Sequence, residues 1–392
     1  MKASTAAPSS RRNPSPSSKV TTRTASRSAC STRVSSLLPA RHRVVRGGPR
    51  HRRLGRGHGL GGRRRRRRLP RPPHRLGRPR IEPALRENPH QNAALYTDTT
   101  VSEASVVHAD QLNEGAKALS YNNYNDADGA LNLIKEFEEP AAAVIKHTNP
   151  AGCATADSVA DAYEKALSTD PMSAFGGIVA LNRECDAATA EQIIDSFKEV
   201  VVAPGYTDAA LDVLFEKENL RVLDVNENFE VTDSLTEKPL VGGRLVQERD
   251  TQHLSVDDLE VVTEREPTDE QIESMLFAWH TLKHVKSNGI LFADGTETVG
   301  IGMGQVSRVD AVRLAAMKAD EHAEGKDAEG AVMASDAFFP FPDGIEEAAD
   351  AGIERLSSPA ARRTTRASSR PRTNTTWRWC SPGSGRSDTT ER

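Results

Sequence analysis

Cysteine is scarce in this chain. The four present, Cys30, Cys153, Cys185 and Cys380, show no paired spacing among 392 residues, so neither a disulfide framework nor a zinc site is indicated. No apolar run approaches the ~18 residues of a membrane-spanning helix. The first 80 positions contain no Asp or Glu and no Phe, Tyr or Trp. They carry instead 24 basic residues, 22 of them Arg, and end in Arg63–Arg68 followed by RPPHRLGRPR. With almost no apolar periodicity, this segment cannot bury enough surface to offset chain entropy, and it is expected to be disordered. Three readings stay open. It is a basic arm for nucleic acid, an Arg- and Ser-rich transit segment, or a GC-rich gene translated out of frame, which is the preferred reading. The missing aromatics argue against recognition of a single strand by base stacking. Residues 354–392, with nine Arg against three acids, have the same flavour and are expected to be a low-complexity tail.

The middle is different. With the 33 basic and three acidic residues of the two ends set aside, 81–353 keeps 19 basic against 52 acidic residues. The formal charge of −3 is therefore a cancellation between unlike pieces. Dense surface carboxylates keep a protein hydrated at high salt, where screening removes their mutual repulsion, so a salt-adapted (halophilic) cytoplasmic protein is expected.

Within 81–353, short β-branched runs alternate with helical patterns. Strands are expected at Ala142–Ile145, Gly177–Leu181, Val200–Ala203, Ile290–Ala293, Val299–Ile301 and Ala331–Met333. Val159, Ala162, Tyr163, Ala166 and Leu167 share one helical face. So do Ile272, Met275, Leu276 and Trp279, in a helix opened by the capping box Thr268-x-x-Gln271. The alternation implies a layered α/β architecture, whose ligands collect beyond the carboxyl ends of strands.

One such place is VIKHTNPAGCAT, Val144 to Thr155, where an apolar strand runs into Lys146 and His147 and Asn149-Pro150 is expected to turn the chain. Around it lie, in order, RENPHQNAALY from Arg86, LSYNNYNDAD from Leu119, DPMSAFGGIVALNRE from Asp170, FKEVVVAPGY from Phe197 and GGRLVQERD from Gly242. KHVKSNGILFADGTETVGIGMGQVSRVDAVRLA from Lys283 and MASDAFFPFPDGIEEA from Met333 complete the set. Together these strings resemble the formyltransferase domain of the AICAR formyltransferase/IMP cyclohydrolase family of purine biosynthesis, over roughly 84–353.

The resemblance implies α/β/α layering in two cytidine-deaminase-like subdomains, formyl transfer from 10-formyltetrahydrofolate as co-substrate to the 5-amino group of AICAR, a homodimer, and no metal or membrane. It implies His147 as proton acceptor and Lys146 as the cation stabilising the transition state. This suits the chemistry, because a conjugated aromatic amine needs a base for its proton and a donor for the developing oxyanion. An imidazole titrates near neutrality. Arg86, Gly176, Glu199, Asn288, Arg308 and Phe338 match substrate-side positions, with Glu199 where the family commonly has Asp. Val309 and Asp343 match folate-side positions. Gly300-Ile-Gly-Met-Gly304 reads as a tight turn before a helix, since glycines so spaced are a weak dinucleotide signal. Lys283 and His284 form a second such pair, read as cations at a helix C-terminus.

The chain also departs from the family. LRENPHQ lacks a Tyr-Gly pair, Pro342 replaces a cation in FPFPDG, and neither the family's terminal segment nor its cyclohydrolase domain has a counterpart. An alternative implication is a core that no longer catalyses, carried by an arm that binds nucleic acid.

Overall fold

The computed structural model describes residues 85–113, 116–261, 265–359 and 376–379. The expectations for 1–80, and for most of 354–392, lie outside the described residues.

The chain first builds β1 (Asp110–Gln111), α1 (Tyr121–Ile134), β2 (Ala141–Lys146), β3 (Asn149–Thr155), α2 (Val159–Leu167) and α3 (Pro171–Ala174). It continues through β4 (Ile178–Leu181), α4 (Ala187–Ile194), β5 (Val200–Ala203), α5 (Asp208–Leu214) and β6 (Arg221–Asp224). A separate ribbon follows, β7 (Leu235–Leu240) and β8 (Gly243–Glu248). The rest comprises β9 (Leu259–Val261), α6 (Asp269–Leu282), β10 (Ile290–Asp294), β11 (Glu297–Gly302), α7 (Arg308–Glu321), β12 (Val332–Ser335), α8 (Asp343–Asp350), β13 (Arg355–Pro359) and β14 (Thr376–Trp379).

Twelve strands make one sheet, in the order β1-β6-β5-β4-β2-β3-β11-β10-β12-β13-β14-β9. Its two halves repeat one plan. In the first, the β2–β3 hairpin is joined by β4 antiparallel to β2, then β5 and β6 in parallel, with β1 antiparallel at the edge. In the second, β10–β11, β12, β13, β14 and β9 take the same places in the same senses. The halves meet at β3 and β11 through the register pair Glu297↔Ala154. There the Thr298 hydroxyl accepts the Cys153 N–H at 3.0 Å, knitting the junction where backbone pairing is short.

Period-2 alternation sorts the strand side chains between two faces. Ala143 and Ile145 of β2 join α1 and α6 in one core that also takes Leu291, Ala293, Val332 and Ala334. Ala142 and Val144 face α2, α4 and α5. Ile290, Phe292 and Met333 pack beneath α7 and α8. The result is a central sheet with helices on both sides, shared along one face by both halves. The expected strands all lie in it, and the Thr268–Gln271 capping box opens α6.

Two expectations fail locally. Asn149 and Pro150 do not turn the chain but begin β3, with Ile145 opposite Pro150 at an irregularity in the register. A proline is tolerated there because the ladder is already interrupted. The Gly300–Gly304 run is mostly strand: a Cβ on Gly302 would sit 1.8 Å from the Ala311 carbonyl oxygen. Glycine at that position therefore lets α7 lie on β11, and only Gly304, at φ 67°, belongs to a turn. Regular structure also continues past residue 353, where β13 adds a buried parallel strand to β12.

Candidate functional site

The reach from β2 to β3 is made by His147 and Thr148, both left-handed at φ 54° and φ 64°. Neither is Gly or Asn, the residues that adopt this conformation readily, and each costs ~1–2 kcal/mol there. The offset comes from α1. The buried Asp126 carboxylate accepts the His147 N–H on one oxygen and the Thr148 N–H on the other, both at 2.8 Å. Hydrogen bonds to a charged group are worth ~1.5–3 kcal/mol each, enough to hold the turn.

This turn settles how neighbouring residues escape strand alternation. Lys146 keeps the face of Ala142 and Val144, and its ammonium donates to the Phe175 carbonyl at 2.7 Å. His147 leaves the strand and is exposed beyond its carboxyl end. Asn149 then reaches into the second half. Its amide nitrogen donates to the His147 carbonyl at 3.1 Å, and its amide oxygen accepts the Lys286 N–H at 3.1 Å.

Lys286 precedes a cis Ser287–Asn288 peptide, and Asn288 is fully engaged. Its nitrogen donates to the carbonyls of Gln305 (2.8 Å) and Val306 (3.1 Å), and its oxygen accepts from Arg308 at 2.8 Å. Arg308, the first residue of α7, also donates to Ser335 at 2.9 Å and to Asp336 at 2.5 Å, and lies 5.9 Å from the centroid of the Phe339 ring. Burial alone would raise the Asp336 pKa. The Ser287 hydroxyl, the Gly289 N–H and the Arg308 guanidinium outweigh it and hold the carboxyl below its ordinary range.

Gly176, at φ 72°, lies just before β4, and its N–H donates to the Phe197 carbonyl at 2.7 Å. Glu199 just before β5 accepts from Asn123 of α1 at 2.7 Å and lies 3.8 Å from Arg221. Lys146, His147, Gly176, Glu199, Asn288 and Arg308 thus all lie at the same end of the central strands. Val309, half-buried, follows Arg308 in α7. Phe338 is exposed in the loop after β12, where its neighbour Phe339 meets Arg308. Asp343 opens α8 and is exposed, its carboxylate accepting the Gly344 N–H. Arg86 is exposed and donates to the Pro89 carbonyl, within a turn that Asn88 and Gln91 close. Asp126 and Asn149 were not among the expected site residues. The signal for Asp126 was available in the polar run YNNYNDAD, which opens α1.

The second Lys-His pair has another use. Lys283 Nζ and His284 Nε2 lie 2.9 and 3.1 Å from Glu136, so these residues, at the C-terminal end of α6 as expected, also pair with a carboxylate of the first half. Burial would raise the Glu136 pKa, but His280, His284 and Lys283 hold it well below the carboxylate range. Glu136, His253 and His280 are also near enough together to hold a metal ion. The Lys283 ammonium, however, already spans both carboxylate oxygens.

Residues 83–318, more than half of the chain, match the family model described as the AICARFT/IMPCHase bienzyme. The chain belongs to that family. Membership of the AICARFT/IMPCHase family makes it a purine-biosynthesis enzyme of a folate-dependent group. All the strand-end residues from Lys146 to Arg308 lie inside the matched span, while Phe338 and Asp343 lie beyond it. Among the described residues, no helix is long and apolar enough to cross a membrane.

Proposed function

We propose that the chain transfers a formyl group from 10-formyltetrahydrofolate to the 5-amino group of AICAR. The observation that carries this reading is the His147-Thr148 turn directly after Lys146, held by Asp126 and tied through Asn149 to the loop bearing Asn288. The amine attacks the formyl carbon, and His147 accepts its proton as the new N–C bond forms. Lys146 uses one N–H on the Phe175 carbonyl and keeps others for the oxygen that becomes negative. Collapse then breaks the bond to the folate nitrogen, which leaves with the proton that His147 took from the amine. Asn288 and Arg308 shape the pocket wall, since their polar groups are already engaged with each other and with Asp336. Glu199, Gly176, Phe338 and Arg86 belong to the AICAR side of this proposal, and Val309 and Asp343 to the folate side.

A homodimer belongs to the same proposal. The β7–β8 ribbon exposes Leu235, Leu240, Val241, Leu245 and Val246, and a lone two-stranded ribbon is marginal in water. Sedimentation of the chain at several concentrations reports on this directly. The assay for the main reading is formyl transfer to AICAR followed by absorbance of the released tetrahydrofolate. Turnover is expected. A folded chain that gives no turnover with saturating AICAR and donor sinks the reading.

A further inference from the structure

We infer that Asp126 is a positioning residue that sets the His147 side chain by holding its backbone, an inference that rests on the reaction proposed above. The Asp126 side chain is buried at 8 % exposure, and its two oxygens divide between the N–H groups of His147 and Thr148. Those residues occupy the two loop positions of a hairpin whose twist favours φ > 0 at both, the place usually taken by Asn and Gly. A β-branched Thr148 is among the residues least suited to that region. Such a conformation persists only where its surroundings over-determine it.

The holding group comes from outside the hairpin. Asp126 sits on α1, whose buried face is fixed against β2 and β4 by Ala127, Ala130, Leu131 and Ile134. The turn is therefore referenced to the core rather than to its own residues. Without the carboxylate, the cheapest response of the chain is to relax His147 and Thr148 towards φ < 0. That relaxation rotates the His147 Cα–Cβ bond away from the strand end. It also moves the His147 carbonyl that Asn149 bonds, which disturbs the link to Lys286. Asp126 touches no reacting atom in this account and acts only through peptide groups.

The experiment uses the full chain with Asp126→Ala, the isosteric Asp126→Asn, Thr148→Gly, and the double variant Asp126→Ala/Thr148→Gly. Circular dichroism shows which are folded, and Asp126→Asn stands in if Asp126→Ala is not. The expected result is a fall in kcat of about 100-fold for Asp126→Ala with little change in KM, the scale of a misplaced catalytic group. Thr148→Gly should restore about tenfold of it, the equivalent of the left-handed penalty on one residue. A carboxylate acting on substrate directly gives no such rescue. Wild-type kcat in Asp126→Ala, or a folded Asp126→Ala chain that Thr148→Gly does not rescue, overturns the inference. A second readout separates it from the formyl-transfer reading. Amide exchange at His147 and Thr148 should be slow in the wild-type chain and fast in Asp126→Ala. If the chain does not transfer formyl groups, the function fails alone, and unchanged exchange is then the result that rejects Asp126.

Discussion

The side-chain oxygen of Asn149 accepts the backbone N–H of Lys286 at 3.1 Å, a bond between the two halves of the sheet. It joins the turn that bears His147 to the loop that bears Asn288. Asn149→Ala removes it and leaves the Lys286 N–H to find water. Because Asn149 is half-buried at a strand end, the stability loss should be about 1 kcal/mol. The kinetic loss should be larger than that figure implies, about tenfold or more in kcat/KM, because the two loops lose their common reference. Steady-state kinetics beside thermal denaturation tests this. A kinetic loss no greater than the stability loss argues against coupling of the loops.

Lys146 and His147 should separate kinetically. His147→Ala removes a general base and should lower kcat about 100- to 10,000-fold. Lys146→Met removes a cation whose ammonium also anchors the Phe175 carbonyl, so KM and kcat should both suffer. The decisive measurement is rescue by added imidazole, which should restore part of kcat in His147→Ala and none in Lys146→Met. No rescue of a folded His147→Ala chain assigns the base elsewhere.

The pattern of these residues was legible in part, and the reason lies in which forces are local. The core strands β2, β4, β5, β10, β11 and β12 announce themselves because their β-branched and small apolar runs are buried on both faces. β3 was hidden: NPAGCAT contains Pro, Gly and two Ala, and it is a strand only because β2 and β11 flank it. The turn was misplaced for the same reason. Local propensity puts it at Asn149-Pro150, whereas a carboxylate on α1 makes His147-Thr148 the better place. Lys146 and His147 stood out as a pair, yet the engagement of Arg308 with Asp336 and Asn288 depends on three separate loops and leaves no trace in spacing. β13 was obscured by composition, since RLSSP looks polar but is mostly buried against β12.

Arg308 and Asp336 form a partly buried pair, with side-chain exposures of 12 % and 20 %. Arg308→Ala strands the Asp336 carboxylate and frees the Asn288 oxygen, and about 3 kcal/mol of stability should be lost. Arg308→Lys should recover only part of it, because one ammonium cannot reproduce the fork that spans Asn288, Ser335 and Asp336. Urea denaturation of the two variants provides the comparison. Equal stability in Arg308→Lys and the wild type would show that charge alone matters there.

Glu103 should govern part of the acid stability. It is 5 % exposed and accepts from Lys135 at 2.6 Å, from Arg249 at 3.0 Å and from Thr232. Burial raises its pKa, but these partners prevail and bring it down to about 2 from an ordinary 4.5. A depressed carboxylate pKa contributes stability above the unfolded value and loses it as pH falls through the folded one. The contribution should therefore be whole above pH 4.5 and decline towards pH 2. Glu103→Gln should cost about 3 kcal/mol at pH 7, through the unpaired Lys135, and flatten this limb of the stability curve. Denaturation at several pH values between these limits reads the slope. A slope unchanged in Glu103→Gln rejects the assignment.

Lys198 works in the opposite sense. It is 3 % exposed beside Glu199 at the strand end, and the partner found for its ammonium is the Ser196 hydroxyl. Burial lowers its pKa from 10.5 to about 8. Folding therefore disfavours its charged form, and the penalty is full below pH 8, where both states are protonated. It should fade as pH rises from about 8 to 10.5, where the unfolded chain also releases the proton. Lys198→Met keeps the length of the stem and removes the charge. The substitution should raise stability by about 3 kcal/mol at pH 7, close to the free-energy equivalent of the shift from 10.5 to about 8. By pH 10.5 the gain should have largely disappeared. Chemical denaturation of both chains at these two pH values gives the comparison. A gain that is the same at both would mean that packing of the stem, and not the buried ammonium, sets the stability of this strand end.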